Sequence, residues 1–241
     1  MSTQRGFRLP GLPAMQTAAT KLAVGLVAGS ILFALFRQSF GEWLVLVPAL
    51  VLRSFALWQP LTYAFIENSP MGVIFGALIL WSIGGALEQT WGSRRLVLFA
   101  LGVTALSGAL TVALSILVEA LQAMPFFGGT VMTSALWVAY GLSYGQRQTN
   151  FWGMAVTGNV LALIGVGFIF LNGAFGSWLA IIPSALGALL SFGYVRGATP
   201  SMLLLRVQSW RLHRQLKGRS KHLRVIGKDR NTPNDSDKFL H

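Results

Sequence analysis

Two adjacent hydroxyls, Thr133 and Ser134, lie in the uncharged stretch "GGTVMTSALW" (128–137). Such a hydroxyl attacks a peptide carbonyl only when a base within hydrogen-bond reach takes its proton. The chain has three histidines, His213, His222 and His241, and all of them follow the last apolar run. No lysine stands between Lys21 and Lys217, which leaves a serine–lysine dyad without its amine. The aspartates Asp229, Asp235 and Asp237 share the same tail, so paired-aspartate chemistry has no partners inside the apolar region. Cysteine is absent, and no histidine and carboxylate cluster has metal-ligand spacing; neither a metal nor any other cofactor is expected. A serine in an apolar helix is ordinarily a packing or hydrogen-bonding residue, and Ser134 reads first in that way.

The elements that would carry these residues are membrane helices. Hydrophobic residues make up 54% of the 241 and charged residues 11%, against about 25% charged in an ordinary soluble domain, and the mean hydropathy is +0.60. A helix needs about 20 apolar residues to cross a hydrocarbon core of about 30 Å. Six runs are candidates, at 22–37, 70–87, 96–118, 126–145, 151–171 and 174–195, with the last two divided near Asn172 and Gly173. None has the alternation of a β-barrel strand, so the fold class is an all-α bundle of six spans. The first run has no small-residue cleavage site after it and reads as a retained helix. Its organisation is an N-terminal segment 1–21, a membrane domain 22–197 and a basic tail 198–241.

Charge sets an orientation. Arg94 and Arg95 follow span two, Arg147 follows span four, and Arg196 with ten further Lys/Arg follows span six. The alternate connections carry Arg37 and Arg53 beside Glu42 and Glu67, then Glu119. The positive-inside rule puts both termini in the cytoplasm. The net charge of +12 then describes one membrane face and its attraction to anionic lipid, not a nucleic-acid groove. A bacterial inner membrane is the expected location, with membrane lipids as partners.

The longest connection, 38–69, contains "EWLVLVPALVLRSFALWQPLTYAF". Trp43, Trp58, Tyr63 and Phe65 suit an interfacial segment, while Pro48, Arg53 and Pro60 argue against another crossing. It reads as a partly embedded outer loop. In the tail, Arg206, Arg211 and Arg214 scatter around a helical wheel, and residues 227–241 are polar and disorder-prone in composition.

The stretch "GGALEQTWGSRR" (84–95) puts Glu88, Trp91, Arg94 and Arg95 between two apolar runs. An arginine of the same turn can pair with the glutamate, Trp91 can anchor among headgroups, and Gly92 lets the chain reverse. With its flanks this stretch resembles the rhomboid family of intramembrane serine proteases, whose turn has the form G-x-x-x-E-x-x-x-G-S/T-R/K; Gly84, Glu88, Gly92, Ser93 and Arg94 fill it. "PFFGG" (125–129) is similar to that family as well, and the resemblance covers most of 58–195.

The resemblance implies a serine nucleophile in G-x-S-G at the start of span four and a histidine base in span six. Here the nucleophile position falls on Thr133, with Ser134 beside it, or on Val131 in another register. The base position in "PSALGALLSFG" holds Ser184 or Ala185, the tyrosine near the base becomes Trp137, and the oxyanion-stabilising histidine and asparagine of span two become Gly72 and Gly76. The family's dyad is therefore missing. Small residues at four-residue spacing, Gly72 and Gly76, Gly141 and Gly145, Gly187 and Ser191, read as helix-packing faces. The expectation is a rhomboid-like pseudoprotease that binds transmembrane segments of client proteins without cleaving them. The alternative is an active endopeptidase using Ser134 or Thr133. A third reading is a protein that thins the bilayer, since residues 71–87 would span only about 25 Å.

Overall fold

The computed structural model describes residues 17–151 and 154–197. The N-terminal segment up to residue 16 and the basic tail, with the disorder expected at 227–241, lie outside the described residues.

Among the described residues, apolar sequence without interior proline gives six helices of 14 residues or more, joined by short ones. Helix α1 (Ala18–Phe36) starts four residues earlier than its apolar run, because Thr17 accepts from the Thr20 N–H and caps it. Three short helices follow, α2 (Gly41–Leu44), α3 (Pro48–Ser54) and α4 (Gln59–Thr62), the latter two with proline in the first turn, where its missing N–H costs nothing. Helix α5 (Pro70–Ile79), a π-turn (Leu80–Gly84) and α6 (Gly85–Trp91) run on as one helix. Its 22 residues reach about 33 Å, because the helix runs past the apolar stretch 71–87 through Glu88, Gln89 and Thr90 to Trp91.

Gly92, at φ 83°, turns the chain into α7 (Ser93–Ser115). Helix α8 (Gly128–Tyr144) is buried along most of its length and packs against α5, α7, α9 and α10. Helix α9 (Gly158–Phe175) and α10 (Ile182–Val195) complete the bundle. Among the described residues, four helices, Ala18–Phe36, Pro70–Trp91, Ser93–Ser115 and Gly158–Phe175, are long and apolar enough to cross a membrane. The protein is an all-α membrane protein with one small addition.

That addition corrects the fifth span. Strand β1 (Gln148–Phe151) pairs antiparallel with β2 (Met154–Thr157), where a helix was expected from 151. Hydropathy does not separate a short apolar strand from a helix, and Gly145 at φ 55° has already ended α8. The break expected at Asn172 and Gly173 also moves. Asn172 donates its side-chain amide to the Phe168 carbonyl one turn back, and the helix continues to Phe175. Helix α10 is consequently 14 residues long rather than the 22 of 174–195.

Buried polar side chains hold the 38–69 connection together and tie it to α7. Gln59, fully buried, accepts from the Val47 N–H and donates to the Glu42 carbonyl, both at 3.0 Å. Tyr63, equally buried, donates to the Thr104 carbonyl at 2.5 Å, and burial pushes its phenol above the ordinary value. Leu46 and Phe126 exchange backbone hydrogen bonds at 3.1 and 2.8 Å, joining this connection to the segment before α8. Trp43 and Trp58 stack at 6.0 Å and stay exposed.

Candidate functional site

The two ends of the α5–α6 helix carry the two glutamates that matter. At one end Glu88 accepts from the Ala18 and Ala19 N–H groups at 3.0 and 2.9 Å and from the Ser93 hydroxyl at 2.5 Å. The first turn of a helix leaves its N–H groups without intrahelical partners, and a carboxylate from elsewhere in the chain caps them here. The expected arginine partner is therefore replaced by backbone. Arg94 is exposed, and Arg95 stacks over Trp91 and Tyr194 at 5.1 and 5.4 Å while donating to the Tyr194 hydroxyl. Trp91, which the sequence would place among lipid headgroups, packs edge-on against Phe99 at 5.1 Å.

At the other end Glu67 precedes Pro70. Its backbone N–H donates to Ser30 of α1 at 2.9 Å, and its side chain turns to the first turn of α8. There the Thr130 hydroxyl donates to Glu67 Oε2 at 2.6 Å, while the Asn68 N–H donates to Oε1 at 3.2 Å. Burial holds this carboxyl above the ordinary carboxylate range, and the hydrogen bonds from Thr130 and Asn68 offset that only in part. Glu67 lies outside the six apolar runs, half-buried at the edge of the bundle, and the sequence did not single it out. Its place in a connecting segment hid it, and the one available signal was a lone acid immediately before the "SP" that starts a span.

Glu67 borders two cavities. The larger, about 390 Å³, is walled by Met71, Phe75 and Ile79 of α5, Thr133, Ser134 and Trp137 of α8, and Gly165, Phe168 and Asn172 of α9. The smaller, about 200 Å³, is bounded by Phe127, Thr130, Asn172, Ile181 and Ser184. Glu67, Thr130 and Asn172 line both.

The positions singled out from sequence gather around these spaces. Thr133 and Ser134 face the larger cavity, but the Thr133 hydroxyl donates back to the Gly129 and Thr130 carbonyls at 3.0 and 3.1 Å. Among the described residues no imidazole, amine or carboxylate hydrogen-bonds to Thr133 or Ser134. Trp137 packs against Phe168 with ring centres 5.6 Å apart and the planes tilted by 45°, and lies over Gly165. Ser184 is buried against the smaller cavity, whereas Ala185 is exposed on the other side of α10. Val131 is buried against Gly187.

The glycines divide by role. A Cβ on Gly72 would sit 2.6 Å from Glu67 Cγ, and one on Gly76 2.8 Å from Leu26, so these positions make room for neighbours rather than donate to an oxyanion. Gly141 lets α9 approach until a Cβ would lie 2.5 Å from the Ala162 nitrogen. Gly145, expected to extend that packing face, is instead the turn after α8. Gly187 meets Val131, and Ser191 donates to the Gly187 carbonyl at 2.8 Å.

A bundle of apolar helices around a lined cavity defines a multi-pass integral membrane protein. Residues 20–197 match the family described as eukaryotic integral membrane protein (DUF1751). The chain belongs to that family, and the match overturns the expected bacterial inner membrane: the membrane is a eukaryotic one.

Proposed function

We propose that the protein is a rhomboid-like pseudoprotease, a six-crossing bundle that holds transmembrane segments of client proteins in the groove between α5 and α9. The observation that carries this reading is the 390 Å³ cavity, in which Ser134 and Thr133 stand beside Trp137 with no base hydrogen-bonded to either hydroxyl among the described residues. Helices α5 and α9 each pack on α8, and their side chains at the opening, Met71, Phe75 and Phe168, are exposed and apolar. A groove of this form accepts a helix by its i, i+3, i+4 and i+7 side chains. Helix α8 crosses at the centre of the bundle with α10 packed on it and on α7, and lipid bathes the remaining exposed apolar surface, Leu189 and Phe192 of α10 included.

The endopeptidase alternative has one observation in its favour, a carboxylate bordering the same cavity. Glu67 engages Thr130 rather than Thr133 or Ser134, which favours anchoring over activation. Purified protein in liposomes, offered a fluorogenic transmembrane substrate, tests both readings: client capture without cleavage is expected. Cleavage that Ser134→Ala abolishes would sink the pseudoprotease.

A further inference from the structure

We infer that Glu67 selects client segments that carry a lysine or arginine at the helix end level with it, pairing its carboxylate with that cation as the segment lies between α5 and α9. The inference rests on the client-binding reading above and names the kind of segment held.

The geometry is that of a cation receptor at the rim of an apolar groove. Along α5 the wall residues Met71, Phe75 and Ile79 recur every four positions, and along α9 Gly165, Phe168 and Asn172 follow at three and four. Each set is a stripe along one face of its helix, and the space between the two stripes is what a third helix would fill. Glu67 stands three residues before Pro70, at the very end of the α5 wall. A client cation would reach that level at low cost, because lysine and arginine near a helix end extend their stems along apolar surface and bring the charge to the interface.

The carboxylate has capacity left. An ionised carboxylate offers about four acceptor sites, and the Thr130 hydroxyl and the Asn68 backbone N–H occupy two. Among the described residues no lysine, arginine or histidine pairs with Glu67, and Ser69, Thr130 and Asn172 give the groove its polar rim without supplying a positive charge. A carboxylate bordering low-dielectric space attracts a cation far more strongly than one in water, so the partner brings the charge the bundle lacks. Burial already holds the Glu67 carboxyl above its ordinary range, and an arriving ammonium relieves that.

The test uses the full chain in phosphatidylcholine liposomes with a photoreactive residue at Phe75 and synthetic polyleucine helices of about 20 residues. The helices carry lysine, leucine or glutamate at the end level with Glu67. Crosslinking of the lysine helix is expected to exceed that of the leucine helix by roughly tenfold, the scale of one well-placed charge pair. Glu67→Gln is expected to bring the lysine helix down to the leucine level, and Glu67→Lys to transfer the preference to the glutamate helix. Equal crosslinking of lysine and leucine helices overturns the inference and leaves client binding standing. No crosslinking of any helix overturns client binding itself. Loss of lysine selectivity on adding phosphatidylethanolamine, but not further phosphatidylcholine, overturns the inference by giving the carboxylate to a lipid amine.

Discussion

The Thr130 hydroxyl donates to Glu67 Oε2 at 2.6 Å, tying the first turn of α8 to the segment that leads into α5. This contact fixes the α5 and α8 sides of the larger cavity relative to each other. Thr130→Val keeps the shape and removes the donor, leaving a buried acceptor poorly satisfied. A loss of about 1–3 kcal/mol is expected in chemical unfolding of the detergent-solubilised protein. An unchanged midpoint would mean that water replaces the hydroxyl without cost.

The same carboxyl makes stability depend on pH. Its folded-state pKa lies above the unfolded value, so the folded chain holds its proton where the unfolded chain has released it. Stability is then highest below the unfolded pKa, near 4.3, and falls as pH rises through the window between that value and the raised one. Thermal unfolding followed upward from about pH 4 is expected to show this decline in the native protein and its absence in Glu67→Gln. A midpoint that rises with pH across that window would contradict the burial of this group.

Glu88 holds the start of α1 through the Ala18 and Ala19 N–H groups. Glu88→Ala removes a cap worth about 1–2 kcal/mol. Hydrogen exchange at residues 18–21 is expected to speed up while exchange in α8 stays slow. Equal protection of the first turn in both proteins would assign Glu88 a different role.

Gly141 and Gly158 set the spacing of α8 and α9: a Cβ on Gly141 would lie 2.6 Å from the Gly158 carbonyl oxygen and 2.5 Å from the Ala162 nitrogen. Gly141→Ala is expected to cost about 1–3 kcal/mol by forcing the helices apart. Gly167→Ala serves as the control, since nothing lies within 4 Å of a Cβ there; it is expected to be neutral or slightly stabilising. Denaturant midpoints of the two variants decide the matter.

The family positions show why a motif and its function part company. The hinge residues Gly84, Glu88, Gly92, Ser93 and Arg94 were visible as a pattern, yet the glutamate serves α1, about seventy residues earlier in the chain, and no local spacing announces such a partner. Likewise Ser184 and Ala185 stood as equal candidates in one dimension, and the helical rotation of α10 puts one inside and the other out. The strand pair Gln148–Phe151 and Met154–Thr157 escaped because a short apolar stretch such as Met154–Val156 carries the same hydropathy whether extended or helical.

The amino-acid sequence by itself determined that the chain lives in a membrane and folds as helices, because burying so many uncharged residues leaves the backbone no other partners in lipid. It also determined that histidine, cysteine and aspartate chemistry is absent from the apolar part, since those residues are simply not written there. Only the tertiary structure decided where the remaining charges act. Glu67 and Glu88 look alike in sequence, one before a span and one at its end, and the packing of α1 and α8 against them makes one the rim of a cavity and the other a helix cap. The physical reason is distance: a carboxylate's environment is set within a few ångströms, and residues some seventy positions apart come that close only through the fold.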